Sequence, residues 1–278
     1  MVGVSSKGRP AGLSPKQDAY GQILLACLEG RGGQEIMERD DGLIYCGDPS
    51  DYLAPYRRWP SLEKKAMRYV RGRVLDVGCG AGRVALHLQE RGQEVLAIDN
   101  SPLAVEVAKR RGVENAIVLS VVDLDSSHGV FDTILFARNN FGLAGAEREA
   151  RRLLRRLHGL TAEDGRIVTD SVDPERDADP AFRDYVRRAG RTQAPRYRVR
   201  WREFATPWFR YLMFSPADLE RLTEGTGWHV VKFLEDEEPR YVAVLEKEPD
   251  VRSDSSRHGR AKRDRTRVRV KRSRSRGT

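Results

Sequence analysis

The sequence predicts an α/β fold in which helices cover both faces of a mostly parallel sheet. Three observations predict it. Short apolar strands alternate with amphipathic helices between residues 73 and 172, a glycine-rich turn joins the first of these strands to its helix, and only four residues, 236–239, separate the last two strands. Parallel neighbours need a crossover of a dozen residues or more, so that final pair must be antiparallel.

Taken in order, residues 1–12 read as a disordered leader, and residues 13–70 as a helical cap. The cap holds one amphipathic helix over 13–29, an irregular aromatic stretch over 42–60 with Tyr45, Tyr52, Tyr56 and Trp59, and a second helix over 61–69. The main domain, 71–250, then runs through strands at 73–77, 94–98, 116–122, 131–137 and 165–172, with helices at 82–91, 102–111 and 144–158. Right-handed crossovers place every loop that follows a strand along one edge, where a ligand is expected. The rhythm breaks after Val172 with an insertion over about 173–214. Its first part is charged, and its second part reads as a hairpin of strands 197–204 and 208–214 turned near Thr206 and Pro207. A helix over 215–225 follows, with Ser215 as N-cap and Pro216 at its first position, before strands 228–235 and 240–246.

The formal charge is +9, and its location decides what it implies. Residues 252–278 hold 12 Lys or Arg against Asp254 and Asp264, a local balance of +10, so residues 1–251 carry −1. The globular part is neutral, and the basic tail, without aromatic residues, reads as disordered. Such a tail binds phosphates without sequence preference. No apolar run approaches the ~20 residues of a membrane span, and the polar N-terminus lacks the apolar stretch of a signal peptide. A soluble, cytoplasmic protein is the expectation. Cys27, Cys46 and Cys79 have no metal-ligand spacing, so no metal site is expected.

The central signal is Val74-Leu75-Asp76-Val77-Gly78-Cys79-Gly80-Ala81-Gly82-Arg83, a buried strand running through a glycine turn into a helix. Gly78 and Gly80 allow a tight turn and close approach of a ligand, while Gly82 lets the helix start pack closely. Asp99 follows Gly82 by 17 residues at the end of the next strand, where a carboxylate accepts ribose hydroxyls. A nicotinamide site uses the same parts. Two residues argue against it: Arg83 stands where the dinucleotide pattern wants its last glycine, and Asp76 would repel a pyrophosphate but attract an ammonium. S-adenosylmethionine carries an ammonium and no phosphate.

From about residue 43 to 247 the chain resembles the class I S-adenosylmethionine-dependent methyltransferases. The resemblance rests on residues 75–82, on Ile98-Asp99-Asn100-Ser101-Pro102, on Asp123-Leu124, on Phe131-Asp132-Thr133-Ile134-Leu135 and on the antiparallel last strand. It implies a seven-stranded Rossmann-like methyltransferase sheet with S-adenosylmethionine as cofactor. Asp76, Gly78, Cys79, Gly80 and Gly82 would hold its methionine end, Asp99 and Asn100 its ribose, and Asp123 and Leu124 its adenine. The 139–142 segment would border the methyl group, with Asn139 both a cofactor contact and a candidate catalytic residue. Asn139 is equally a helix cap. His128, on the loop entering the fourth strand, is the best placed of the histidines for a general base, and Cys79 is either a thiol near a helix N-terminus or a small apolar filler.

Tyr52, Tyr56 and Trp59 are candidate lid residues, and Tyr197, Trp201, Phe209 and Tyr211 are candidates for an acceptor pocket. The leading expectation is methyl transfer to nitrogen or oxygen of a small molecule, since the core is neutral and the insertion supplies a private cover. One rival is an RNA methyltransferase using the tail and the Arg-rich run 183–202. The other is a non-catalytic module that binds S-adenosylmethionine and regulates a partner.

Overall fold

A computed structural model describes residues 12–177, 179–189 and 194–249; the expected leader, Gly12 apart, and the basic tail 251–278 lie outside them. The chain opens with helix α1 (Ala19–Leu28) and the hairpin β1 (Glu35–Arg39) and β2 (Ile44–Gly47). Short 3₁₀ turns then lead to α2 (Ser61–Ala66). The alternating part follows as β3 (Val74–Val77), α3 (Arg83–Glu90), β4 (Val95–Asp99), α4 (Pro102–Arg110), β5 (Ala116–Val118), β6 (Phe131–Phe136), α5 (Glu147–His158) and β7 (Thr161–Val172). Next come α6 (Pro180–Ala189), β8 (Arg196–Trp201), β9 (Phe204–Ala205), β10 (Phe209–Arg210), α7 (Pro216–Thr223), β11 (Trp228–Glu235) and β12 (Arg240–Lys247).

The main sheet has seven strands in the order β11-β12-β7-β6-β3-β4-β5. β12 alone runs against its neighbours, as the four-residue connection requires. Strand alternation divides the core. Leu75, Ile134 and Ile167 pack with Leu153, Leu154 and Leu157 of α5 and with Leu219 and Leu222 of α7. Val74, Val95, Ala97 and Leu135 pack with Leu62 of α2, Val84 and Leu88 of α3 and Val105 of α4. Trp228 and Tyr241 are fully buried, with polar tips satisfied by the Leu154 and Phe214 carbonyls at 2.9 Å each.

The insertion and the N-terminal segment together build a second sheet, β10-β8-β1-β2, with β9 paired on β8. The sequence reading placed no strand over 35–47. Glu35-Ile36-Met37-Glu38-Arg39 carries three charges in five residues, and its partner β8 lies some 160 positions away, so neither composition nor local pattern marks it. The expected reversal near Thr206 and Pro207 falls instead at Arg202 and Glu203, where Arg202 takes φ +51° and Trp201 pairs with Phe204. Residues 209–210 then return to pair with Tyr197 and Arg196. The charged stretch after β7 holds α6, and the strand expected over 116–122 ends at Val118.

Helix α1 begins at Ala19 rather than near residue 13 because Asp18 caps it, accepting from the Gly21 amide at 3.0 Å. The same buried carboxylate accepts from the Ser101 hydroxyl at 2.6 Å and the Leu103 amide at 3.1 Å, tying α1 to the start of α4. Asp18→Ala therefore removes one cap and strands one buried and one part-buried donor. An unfolding free energy lower by about 2–4 kcal/mol in urea is expected, with m unchanged.

Candidate functional site

The C-terminal ends of β3, β4 and β6 meet at one edge of the sheet, joined there by the glycine turn. Gly78 and Cys79 amides donate to the Ile98 carbonyl at 2.8 and 3.0 Å, and the Gly80 amide donates to Asp99 Oδ2 at 2.9 Å. Gly78 and Gly80 take φ of +72° and +53°, values that favour glycine. A Cβ at Gly78 would also strike the Asn140 amide, and one at Gly80 would sit 3.0 Å from the Tyr20 hydroxyl. Gly82 packs against Val113 and Ala108, so its small size serves helix packing, as its place in the motif suggests. Cys79 is buried, and burial together with the neighbouring Asp99 and Asp76 carboxyls holds its thiol well above the ordinary range. Its side chain lies in the apolar cluster with Val84, Ala85 and Val105.

Asp76 is 2% exposed, and its Oδ2 has no hydrogen-bond partner among the described residues. Burial, then the Asp99 charge, pushes its carboxyl up to about 7, against the opposing pull of Arg83. Burial likewise raises Asp99 to about 6, although the Ser101 and Gly80 amides stabilise its charged form. Arg83 at the start of α3 is itself buried, bonded to Glu63 at 2.5 Å and lying over the Trp59 ring at 4.4 Å. Two buried acids thus share one turn whose backbone is open to a ligand.

The loop after β6 forms the other wall. Arg138 and Asn139 both hold left-handed backbone, at φ +57° and +59°. The Asn139 amide N–H donates to Asp170 at 3.0 Å, its side-chain nitrogen donates to the Leu212 carbonyl at 2.9 Å, and its Oδ1 is buried without a partner among the described residues. Asn140 donates to the Val77 and Gly78 carbonyls at 3.0 and 2.9 Å, and Tyr211 donates to the Arg138 carbonyl at 3.0 Å. A shallow open cleft lies beside this loop, with Trp59, Glu63, Arg138 and Asp170 among its walls.

The structure brings Asp76, Gly78, Cys79, Gly80, Asp99 and Asn140 to one place, with Asn139 directly behind. Asn100 lies exposed next to them, its carbonyl taken by the Leu13 amide at 2.9 Å. Asp123 is exposed on a 3₁₀ turn, whereas the Leu124 side chain is fully buried in the core and turned away from solvent. His128 is not brought to the edge. It precedes β6, at the opposite end of a strand whose six residues span about 20 Å, and its ring closes a local cap with Asp125 at 3.1 Å.

Among the candidate lid residues, Tyr52 faces the turn, in edge contact with Tyr20 at 5.2 Å and under Arg138 at 5.1 Å. Tyr56 stacks on His87 at 4.0 Å and Trp59 lies beneath Arg83, so both belong to the α3 flank. Trp201 packs on α1 with Ala19 and Ile23, while Tyr197, Phe209 and Tyr211 contact one another. Sequence reasoning passed over Tyr20, Glu35, Glu63 and Arg138. Of these only Arg138 has a local signal, its place directly before Asn139 after a strand that ends at the ligand edge.

A parallel doubly wound sheet with one reversed strand next to its edge, and a glycine turn carrying two buried acids, is the class I S-adenosylmethionine-dependent methyltransferase fold. Within that class, residues 74–165 match the family described as "Methyltransferase domain". The chain is similar to a Bacteroides fragilis S-adenosylmethionine-dependent methyltransferase solved in complex with S-adenosyl-L-homocysteine. The two are 26% identical with a TM-score of 0.73, over 84% of this chain and 97% of that one. It is 31% identical to a protein of Geobacillus sp. (strain WCH70) over 48% of this chain and 57% of that one. It is 29% identical to the cypemycin N-terminal methyltransferase of Streptomyces sp. over 36% of this chain and 42% of that one. The chain thus spans about half the length of these two curated relatives. No helix among the described residues is long and apolar enough to cross a membrane.

The raised carboxyls fix a pH dependence. Between the ordinary value of 3.8 and about 7, folded Asp76 holds a proton that the unfolded chain has released, and Asp99 does the same up to about 6. Stability of the ligand-free protein therefore falls as pH rises from about 4 to 7 and levels off above. Asp76→Asn is expected to flatten most of that fall between pH 6 and 7, read from urea midpoints at half-unit pH steps.

Proposed function

We propose that this chain is a methyltransferase that uses S-adenosylmethionine to methylate a nitrogen or oxygen atom of a small molecule. The observation that carries the reading is the buried Oδ2 of Asp76 beside the glycine turn, which has no partner among the described residues. A buried acceptor without a donor costs about 1–3 kcal/mol, and the ammonium of the cofactor would satisfy it. The residues fit the group in other respects. Gly78 and Gly80 present backbone with no Cβ in the way, and each Asp99 oxygen that accepts one amide retains a lone pair for a ribose hydroxyl. Asn100 and Asp123 border the ribose and adenine ends, and Leu124 supports the adenine loop from the core. When bound, the cofactor supplies a sulfonium methyl group whose transfer is an in-line displacement requiring no covalent enzyme intermediate. Asn139 serves as a positioning residue, holding the loop after β6 through Leu212 and Asp170.

Charge pairing favours a small acceptor over RNA. Within the Arg-rich run, Arg198 and Arg200 pair with Glu38 at 2.7 and 3.4 Å, Arg196 pairs with Asp40 at 2.9 Å, and Arg187 pairs with Asp184 at 3.4 Å. Arginines neutralised by carboxylates make a poor phosphate track.

Calorimetry should show S-adenosylhomocysteine binding, weakened at least about tenfold, or ~1.4 kcal/mol, by Asp76→Ala and by Asp99→Ala. Labelled methyl transfer from S-adenosylmethionine should enter a small-molecule extract and persist after deletion of residues 252–278. Label in RNA that vanishes with the deletion would favour the RNA reading, and binding without transfer to either pool would favour the regulatory one.

A further inference from the structure

We propose that the methyl acceptor is an amine and that Glu35 binds its ammonium form and takes its proton. This rests on the methyl-transfer reading above. The argument starts from the second sheet. Alternation along β1 and β8, with the register Met37↔Val199 and Glu38↔Arg198, gives that sheet two unlike faces. The outer face carries Glu38, Arg198 and Arg200, paired with one another. The inner face carries Met37, Val199, Trp201 and Tyr197 and packs on α1. Glu35 stands on that inner face. It is 7% exposed, and no Lys, Arg or His among the described residues lies within ion-pair distance.

Its carboxylate Oε2 accepts from the Tyr52 hydroxyl at 3.0 Å, and Tyr52 meets the edge of Tyr20, whose hydroxyl lies against Gly80. A short chain of aromatic side chains therefore runs from Glu35 to the turn proposed to hold the cofactor. The groups that face Glu35 are the Tyr52 hydroxyl and the Arg138 guanidinium, with Tyr20 and Tyr45 within its field. Arg138 is already shared between Asp51 and Glu63, each at 3.7 Å. Glu35, Asp51, Glu63 and Asp99 against Arg83 and Arg138 leave this mouth anionic, which draws in a cation.

Burial holds the Glu35 carboxyl above its ordinary value despite Tyr52 and Arg138. A less acidic carboxyl lies closer to an ammonium in proton affinity, so transfer between them costs less. The proton passes from the ammonium to Glu35 and frees the nitrogen lone pair. That pair forms the new N–C bond as the methyl C–S bond breaks, with its electrons remaining on sulfur. The methylated product departs as a cation, and Glu35 returns its proton to water.

The test uses the full chain and a series of simple amines, benzylamine, phenethylamine and piperidine, with benzyl alcohol, 2-phenylethanol and cyclohexanol as neutral counterparts. With S-adenosylhomocysteine bound, calorimetry should show at least one amine binding tenfold or more tighter than its alcohol. Glu35→Gln should abolish that preference while S-adenosylhomocysteine affinity stays within about twofold. Labelled methyl transfer to that amine should fall by about 10²- to 10⁴-fold in Glu35→Gln. In the unmodified chain, amine affinity should be lost as pH falls through the raised Glu35 value, and that limb should disappear in the variant. Tyr52→Phe keeps the carboxylate and should keep the amine preference; if both variants lose it equally, Glu35 only pins β1 to the 49–53 turn and the proposal falls. It also falls if alcohols bind as well as amines, or if no amine binds or accepts label. Failure of the unmodified chain to bind S-adenosylhomocysteine would instead overturn the methyl-transfer reading.

Discussion

The Gly80 amide to Asp99 carboxylate hydrogen bond, 2.9 Å long, is the contact on which the site depends. A charge-assisted bond of this kind contributes about 1.5–3 kcal/mol, and it closes the turn after β3 onto the end of β4. Closure demands left-handed backbone at Gly78 and Gly80, which excludes most side chains and leaves bare backbone at the edge. It also draws Asp99 into the interior close to Asp76, whose carboxyl its charge raises beyond what burial alone would give.

The same carboxylate extends the network outward. Asp99 Oδ1 accepts from the Ser101 amide, Ser101 Oγ donates to Asp18, and Asp18 caps α1. Four hydrogen bonds therefore run from the glycine turn through β4 and the start of α4 to the N-terminal helix, all of them buried. This series fixes Tyr20 on the first turn of α1 against Gly80. The second sheet then rests on α1 through Trp201 and Val199, so the position of Glu35 is set by packing that begins at Asp99.

The glycine-turn side of the molecule was legible in the sequence because its parts are contiguous. Residues 74–83 hold strand, turn and helix start in one run, Asp99 closes the next strand, and the four-residue link before Arg240 forces the reversed pairing. The other wall was illegible for the converse reason. Glu35, Tyr52, Arg138 and Tyr211 come from four segments that meet only after the second sheet has formed across some 160 residues. β1 has charges at positions 35, 38 and 39, and which of them face inward is decided by a register that no local pattern encodes. His128 misled for a related reason: a loop next to a strand was identified, but it enters the strand rather than leaving it, and only the leaving ends reach the ligand edge. Leu124 sits in the loop expected to meet the adenine, yet its apolar side chain is worth more in the core than at a wet rim.

The difference between the two walls bears on how such a site changes. A ligand common to a whole fold class is held by one short run of chain, where backbone geometry rather than side-chain choice does most of the recognition. The opposite wall is built from single side chains on a small sheet whose outer face is a set of ion pairs and whose inner face is aromatic. Exchanging one inner residue on β1 or β8 leaves the hydrogen-bond ladder and the outer pairs intact, so the side chains that face presents change without disturbing the turn. The paired arginines of β8 then have a structural role. Paired with Glu38 and Asp40, they hold the register that keeps Glu35 inward, and a one-residue slip would turn it to solvent.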